Sequence, residues 1–413
     1  MAGSAGHWSN PEALNRRAAW NLSRAATERS SSRPAIEGFF VLVELSSCLL
    51  HATSVAFDTF AGRLATEGLL ECRPNMVRIV RATQVEIETA VQALRDGELV
   101  AFPTETVYGL GANAQNPVAV AKIFEAKGRP KSHPVIVHLD TPRFLHRWVS
   151  EVPDVATKLA EKFWPGPLTM VMKRGPNVHD IVTGGQDTVA IRVPSHPMAQ
   201  QLLTAFGGGI AAPSANKYGR LSPTRPEHVR DELGDAVKVV LDGGESQIGL
   251  ESTIISVDGP SVRLLRPGAV TAGQLRTVVS ELLMGPDLES PRVPGSTPSH
   301  YAPVTPLVIV PAGEIDAQAA ALSDGGKRIA VLAQRLPLKS HKYVTWVNAG
   351  RRPDQFAHDL YANLRTLDKA GCQKILVQDV PQDERWDAVR DRLTRAASSI
   401  SDGDDTGSMA VLP

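Results

Sequence analysis

The segment 101–111, AFPTETVYGLG, joins an apolar β-type run to residues rich in hydroxyl groups and glycine. About one helix further along, the chain places Lys127 and Arg129 on either side of Gly128. Hydroxyl and backbone donors close to fixed positive charge suit a polyanionic, phosphate-bearing ligand. The segment therefore predicts a strand, a ligand-binding loop of hydroxyls and glycines, and a helix that ends at two cations.

Composition limits the classes of function. The 413 residues are enough for two domains with real cores. Lys plus Arg and Asp plus Glu number 44 each, which argues against a protein that coats nucleic acid by bulk charge but allows a local basic patch. Cys48, Cys72 and Cys372 offer no disulfide framework and fit a reducing compartment, so we expect a cytoplasmic protein. No apolar run reaches the length of a membrane span, and we expect no membrane contact.

Residues 1–75 differ from the rest of the chain. They are rich in Arg, Ser and Ala and lack regular periodicity. One interpretation is an organelle-targeting peptide, which has this composition and few acidic residues. The other, which we favour, is a poorly ordered extension before a true start at Met76, because a domain-like pattern begins at Val77.

Residues 76–284 predict a mixed α/β domain. Thr83 and Glu86 form a capping box that begins a helix, and a second box is expected at Thr224 and Glu227. Apolar runs predict strands at 99–102, 134–139, 168–172, 188–193, 209–212, 237–241, 253–257 and 262–265, with helices near 117–127, 154–163, 197–206 and 225–233. This alternation predicts one large twisted open sheet with helices packed on it.

The rest of the chain divides into a linker and a second domain. Six prolines between residues 285 and 306 predict an extended linker, because proline cannot donate to a helix or a central strand. Beyond it, apolar runs at 307–311, 328–333 and 375–377 predict strands, and apolar stripes predict amphipathic helices near 356–367 and 386–396. Residues 307–413 therefore predict a smaller parallel α/β domain.

Two motifs leave alternatives open. Lys127 could simply complement a helix dipole, but cations outnumber acids between residues 122 and 147, which favours an anion site over a solvated basic face. Ser214 and Asn216 follow a predicted strand, where small polar side chains can meet a ligand. By spacing alone, an ordinary turn is the slightly better interpretation. The histidines lack zinc-ligand spacing, so we expect no protein-held metal.

Seven ordered motifs resemble the YrdC-type L-threonylcarbamoyladenylate synthases. They are FPTETVYGLG at 102–111, KGRP at 127–130, WPGPLT at 164–169, AIRVP at 190–194, APSAN at 212–216, ESTII at 251–255 and LRPG at 265–268. The long form of that family adds a linker that ends in His-Tyr-Ala-Pro, here 300–303, and a C-terminal Rossmann-like domain. The resemblance covers residues 76–413 and implies a YrdC-like twisted open sheet, with residues 285–306 acting as a lid.

The resemblance also implies a reaction. L-threonine, bicarbonate and ATP, the last with Mg²⁺, would give threonylcarbamoyl-AMP and pyrophosphate. The product would supply the N6-threonylcarbamoyl group of tRNA adenosine. Implied partners are therefore downstream threonylcarbamoyl-transfer proteins and tRNA or double-stranded RNA.

The resemblance further implies roles for particular residues. Threonine would be bound by Thr106, His138, Arg192, Ala212 and Ser252. ATP would be bound by Arg129, His133, Thr188, Ser214, Ser222, Arg266 and Tyr301. Lys127, Arg129, Ser214 and Asn216 would be the catalytic set. Two features depart from the family pattern, namely residues 296–299 of the linker and His133, where asparagine is common.

Two other functions stay open at this point. A non-catalytic RNA-binding module could use the same concave basic surface, although zero net charge and the lack of aromatic RNA-reading motifs weaken this alternative. The second alternative is a different carbamoyl or nucleotidyl transfer on the same fold. Dependence of the reaction on threonine would separate it from the main hypothesis.

Overall fold

The structure is a computed structural model that describes residues 78–81, 83–295 and 300–398. The predicted extension 1–75, the proposed start at Met76 and the linker residues 296–299 lie outside this part of the chain. Within the described residues the strands form one sheet of eleven strands and one of four. No helix among these residues has the length and apolar character needed to cross a membrane.

The larger sheet contains the first eleven described strands. They are β1 (Arg78–Arg81), β2 (Val100–Phe102), β3 (Gly109–Asn113), β4 (Ile136–His138), β5 (Leu168–Lys173), β6 (Thr188–Arg192), β7 (Ile210–Ala211), β8 (Val239–Asp242), β9 (Thr253–Asp258), β10 (Ser261–Arg266) and β11 (Leu282–Met284). Their spatial order is β1-β8-β2-β3-β7-β4-β6-β5-β9-β10-β11. Both parallel and antiparallel pairs occur, so the sheet is mixed. The single large sheet is confirmed, whereas the sequence made no prediction of its strand directions.

Helices cover this sheet. They are α1 (Gln84–Arg95), α2 (Pro117–Lys127), α3 (Asp154–Phe163), α4 (Asp180–Thr183), α5 (Pro197–Phe206), α6 (Pro226–Leu233) and α7 (Ala272–Arg276). Helices α1 and α5 bury Leu94 and Leu202 in one apolar cluster with Phe102 of β2. Helix α2 buries Ile123 and Phe124 in a second cluster that includes Met170 of β5. Burial of these side chains stabilises the layers by roughly 1.5–3 kcal/mol each.

Local capping explains where two of these helices begin and end. The capping box of Thr83 and Glu86 is confirmed at the start of α1. Helix α2 begins as predicted, because Asn116 Oδ1 accepts from the backbone N–H groups of Val118 and Ala119 at 3.0 and 3.2 Å. It ends at Gly128, whose φ of +64° favours glycine. Lys127 is thereby the last helical residue.

Two local predictions are wrong. No capping box forms at Thr224, because Pro226 occupies the first helical position of α6 and makes Arg225 the residue before the helix. The glycine-containing segment Gly109–Asn113 is a strand and not a loop. A Cβ on Gly111 would come within 2.8 Å of the Ile210 side chain and 2.9 Å of the Phe102 ring. Glycine here therefore permits close strand packing within the sheet.

The second sheet forms a separate parallel layer. Its strands are β12 (Leu307–Val310), β13 (Ile329–Ala333), β14 (Val344–Asn348) and β15 (Lys374–Gln378), in the order β12-β15-β13-β14. All its pairs are parallel. Helices α8 (Ile315–Ser323), α9 (Pro353–Asp368) and α10 (Asp387–Ala397) accompany it. The apolar stripes of α9 and α10 are buried, as predicted, with Phe356 against Trp386 at 5.4 Å between ring centroids.

Candidate active site

A cavity lies beside the loop between β2 and β3 and is bounded on one side by the linker. Most of the sequence-predicted site residues line it, namely Thr106, Arg129, His138, Arg192, Ala212, Ser214, Ser252, Arg266 and Tyr301. These residues come from the ends of several strands and from the linker. The fold therefore brings together side chains as far apart in the chain as Thr106 and Tyr301, which are separated by 195 positions.

Arg192, the last residue of β6, is fixed at one end of the cavity. Its Nη1 donates to Thr106 Oγ1 at 2.8 Å, and its Nε donates to the Gly166 carbonyl at 3.3 Å. Its Nη2 lies 2.8 Å from Glu105 Oε1, and both side chains are almost fully buried. The hydroxyls of Thr104 and Thr106 are 2.8 Å apart. This end of the cavity therefore offers a guanidinium in a defined orientation among small hydroxyl groups.

His138 ends β4 and also lines the cavity. Its ring meets the edge of Phe102 at 5.9 Å between centroids. Burial lowers the pKa of His138 to about 3, and the neighbouring positive charge of Arg192 adds to this effect. Its Nδ1 finds no hydrogen-bond partner among the described residues. The ring is therefore a neutral imidazole with free hydrogen-bonding capacity.

Arg266, at the end of β10, joins the sheet to the linker. Its Nη2 and Nε donate to the Ser252 carbonyl at 2.8 and 3.2 Å. Its Nη1 donates to the Pro294 carbonyl at 2.7 Å and lies 3.4 Å from Tyr301 Oη. Tyr301 adopts a φ of +61°, a conformation that costs a non-glycine residue of order 1 kcal/mol. The surrounding contacts hold the linker tyrosine in this conformation.

Arg129 lies just past the end of α2. Its Nη2 donates to the Pro134 carbonyl at 2.9 Å, and its guanidinium carbon lies 5.8 Å from the ring centroid of Tyr218. Burial lowers the pKa of Arg129 to about 10, so it remains a cation at neutral pH. Its Nε has no partner among the described residues. Arg129 and Arg266 thus add two cations to the lining of the cavity.

Lys127 and Asn216 lie behind the cavity wall. Lys127 Nζ donates to the Ser214 carbonyl at 2.6 Å and to the Asn216 carbonyl. Burial and the neighbouring Arg129 hold the Lys127 pKa well below its ordinary value. Asn216 Nδ2 donates to the carbonyls of Lys217 and Arg220 at 2.7 and 2.9 Å. Both side chains shape the loop that carries Ser214, and their catalytic roles stay predictions.

The remaining predicted ATP-binding residues do not line the cavity itself. His133 lies beside it with its Nδ1 3.4 Å from Tyr218 Oη. Thr188 begins β6 and pairs with Lys173. The buried Ser222 donates its hydroxyl hydrogen to the Glu251 carboxylate. Their predicted contacts with ATP are not tested by this geometry.

Sequence reasoning assigned no role to three residues of this region. Glu251 and His300 line the cavity, and Glu105 lies against Arg192. Each lies in one of the family motifs, so its position could be found from the sequence. The role of a carboxylate in an anion site, however, becomes evident only when its cationic partner is known. Within the described residues, no group of three or more His, Cys, Asp or Glu side chains could hold a metal ion.

Comparison with known proteins identifies the family. A family model described as "Telomere recombination" matches residues 92–268, and "Threonylcarbamoyl-AMP synthase, C-terminal domain" matches residues 270–398. The chain is 37% identical over 328 residues to the threonylcarbamoyl-AMP synthase of Pyrococcus abyssi, covering 77% of this chain and 95% of that protein. It is 40% identical over 323 residues to the Bacillus subtilis protein of the same name, covering 76% and 93%. The chain belongs to the threonylcarbamoyl-AMP synthase family.

A solved structure supports the same assignment. The crystal structure of P. abyssi Sua5 complexed with L-threonine matches with a TM-score of 0.73 and 36% identity, over 78% of this chain and 97% of that one. Family membership confirms the resemblance carried by the seven motifs, the α/β fold class and the enzyme class. It also favours an enzyme over the non-catalytic RNA-binding alternative.

Proposed function

We propose that this protein makes threonylcarbamoyl-AMP and pyrophosphate from L-threonine, bicarbonate and ATP. The observation that carries the proposal is a cavity lined by three arginines, Arg129, Arg192 and Arg266, and by small hydroxyl groups. Such a lining suits an amino-acid carboxylate together with a polyphosphate, and we assign the carboxylate to the end with Arg192 and the polyphosphate to the end with Arg129 and Arg266. A relative that is 36% identical has been solved in complex with L-threonine, which supports threonine as a substrate.

L-threonine would bind at the Arg192 end. A guanidinium whose orientation is set by hydrogen bonds to Thr106 and Gly166 can clamp a carboxylate more specifically than an ammonium group can. The neutral His138 can exchange a hydrogen bond with the substrate without adding charge. Ser252 and the backbone at Ala212 complete the proposed contacts.

ATP would bind at the end formed by Arg129, Arg266 and Tyr301. The two guanidinium groups would neutralise phosphate charge, and Ser214 would donate from a loop that Lys127 holds by its two carbonyl contacts. The cavity carboxylate of Glu251 is already engaged by protein donors, so we propose that Mg²⁺ arrives on the phosphates of ATP. When bound there it would supply further charge neutralisation.

The proposed chemistry has two steps. The neutral amine of threonine combines with bicarbonate to form a carbamate with loss of water. A carbamate oxygen then attacks the α-phosphorus in line, and the bond to the oxygen that bridges to the β-phosphate breaks to release pyrophosphate. Such a displacement depends mainly on positioning and on neutralisation of negative charge. The arginines of the cavity can provide both.

The linker would exclude water during these steps. Pro294, Gly295, His300 and Tyr301 line the cavity, whose enclosed space is about 50 Å³. Binding sites for small molecules ordinarily enclose at least about 300 Å³. We therefore propose that the linker opens to admit ATP and closes again over the carbamate, which water would otherwise destroy.

Release of pyrophosphate by the purified protein, without RNA, tests the proposed function. We expect release to require threonine, bicarbonate and ATP together, and to fall at least roughly tenfold when serine replaces threonine. Equal release with no amino acid present would support a different nucleotidyl transfer instead.

The cellular context is part of the proposal. The product would pass, in the cytoplasm, to transfer proteins that modify tRNA adenosine, and the protein would contact tRNA or other double-stranded RNA. Co-purification from cell extract tests the partner proteins, and a salt-dependent gel shift with tRNA tests direct contact. Fractionation of cells that produce the untagged protein tests the compartment.

A further inference from the structure

Glu251 places a carboxylate in the wall of the cavity that would hold ATP. An uncompensated negative charge there would oppose a polyphosphate. Ser222 donates its hydroxyl to this carboxylate, and Tyr361 Oη donates to it at 3.0 and 3.2 Å. Arg392 Nε donates to Glu251 Oε2 at 2.8 Å. Among the described residues, the cation in direct contact with Glu251 is therefore the guanidinium of Arg392.

This guanidinium comes from the C-terminal domain. Arg392 lies on α10 and Tyr361 on α9, whereas Glu251 lies two residues before β9 of the large sheet. The Arg392 side chain is only 1% exposed. Its Nη1 also donates to the Pro267 carbonyl at 2.9 Å, next to Arg266, and to the Asp391 carboxylate at 2.7 Å. The C-terminal domain thus places a buried cation directly behind Glu251 and Tyr301, two residues that line the cavity.

The same guanidinium also supports the linker. Its carbon lies 5.2 Å from the ring centroid of Tyr301, within the range of a cation–π interaction. The Tyr301 ring lies 6.0 Å from that of Tyr361. Although burial raises the pKa of Glu251, Arg392, Arg266 and the Ser222 hydroxyl outweigh it and keep the pKa below its ordinary value. The carboxylate is therefore ionised and paired.

We propose that Arg392 is a positioning residue for ATP. It acts through Glu251 and Tyr301, so the C-terminal domain supplies the positive charge that makes the nucleotide end of the cavity compatible with a polyphosphate. The inference rests on the proposed function. It gives the C-terminal domain a direct part in substrate binding in addition to bracing the linker.

Calorimetry with Mg²⁺–ATP and with L-threonine tests the proposal on the full chain. Arg392→Met should raise the dissociation constant for ATP at least about tenfold, while that for threonine changes less than about twofold. Arg392→Lys keeps the charge and should bind ATP more tightly than Arg392→Met. The double variant Glu251→Gln with Arg392→Met should recover most of the ATP affinity, because no unpaired charge remains and the amide oxygen still accepts a hydrogen bond.

Lys369→Met is the matched control. Lys369 follows α9 and forms an ion pair with Asp231 of the large domain at 3.0 Å, but this pair is exposed. Its removal should leave the dissociation constant for ATP unchanged. A fall in ATP affinity as large as that of Arg392→Met would mean that any contact between the domains has this effect, and would overturn the proposal.

The outcomes separate the two hypotheses. Wild-type affinity for ATP in Arg392→Met would overturn the positioning role, as would equal loss of ATP and threonine binding that the double variant does not restore. If Arg392→Met does not fold, the double variant decides: tight ATP binding supports the proposal and weak binding overturns it. Failure of the proposed function looks different, because the wild-type protein would then not bind L-threonine, whether or not it binds ATP.

Discussion

The Arg192 guanidinium lies 2.8 Å from the Glu105 carboxylate, and the two side chains are only 4% and 3% exposed. Glu105 does not itself line the cavity, whereas Arg192 does. The carboxylate therefore balances the charge of the arginine from behind and attracts its Nη2, while hydrogen bonds to Thr106 and Gly166 set its orientation.

Glu105→Gln tests this arrangement. The amide keeps the shape of the side chain but removes its charge, so the guanidinium of Arg192 is held less firmly. We therefore expect the KM for threonine to rise roughly tenfold, with little change in the KM for ATP. Steady-state kinetics with each substrate varied in turn measures both. Glu98→Gln is the control, since Glu98 pairs with Lys122 at the surface. A parallel rise of both KM values would contradict the assignment.

Gly295→Ala tests the contact between the linker and the cavity. A Cβ at Gly295 would lie 1.9 Å from Tyr301 Oη and 3.2 Å from Arg266 Nη1, so the tyrosine must move. We expect kcat/KM to fall at least roughly tenfold. Gly285→Ala is a matched control, because Gly285 has a similar φ of +73° but open space at the Cβ position. Equal activity of the two variants would show that the position of Tyr301 is unimportant.

Arg129→Ala and Lys127→Met separate a charge clamp from loop support. Arg129→Ala removes a cation from the cavity, and pyrophosphate release should fall at least about 100-fold. Lys127→Met removes two hydrogen bonds to buried carbonyls. It should therefore lower the free energy of unfolding by about 1–3 kcal/mol in addition to lowering pyrophosphate release. Lys122→Met on the same helix should change neither pyrophosphate release nor the free energy of unfolding. Near-normal turnover in Arg129→Ala would argue against the charge clamp.

The buried His138 predicts a loss of stability in acid. Its pKa is lowered to about 3 in the folded protein, whereas the unfolded chain binds a proton at about 6.5. Because the unfolded state then binds more protons, stability falls as the pH drops below about 6.5, by roughly 2 kcal/mol from this residue at pH 5. Urea denaturation at pH 7 and pH 5 measures the difference, which should shrink by about that amount in His138→Gln. The exposed His146, changed to Gln, should leave it unaltered.

The layers of the fold could be predicted well from the sequence, because the buried face of a strand or helix requires apolar residues at a regular spacing. The strand at 168–172 and the helix at 117–127 are examples, and both are confirmed with nearly the same bounds. The strand Gly109–Asn113 was missed because its identity depends on how closely Phe102 and Ile210 approach it. Such distances are fixed by tertiary packing and leave no local pattern.

The candidate site was predictable as a set of positions but not as a set of interactions. The motifs named Arg192 and Arg266, and both line the cavity. Their partners come from distant segments: Glu105 is 87 positions from Arg192, and Glu251 is 141 positions from Arg392. The sequence contains no short-range signal for such pairs. For this reason the buried carboxylates and the contribution of the C-terminal domain emerged only from the structure.

Mass spectrometry of the reaction product tests the central claim most directly. The purified protein is incubated with ATP, Mg²⁺, L-threonine and ¹³C-labelled bicarbonate. The account predicts threonylcarbamoyl-AMP that carries one ¹³C atom, formed in equal amount with pyrophosphate. Release of pyrophosphate with AMP but without any labelled adduct, or no nucleotide conversion at all, would contradict it.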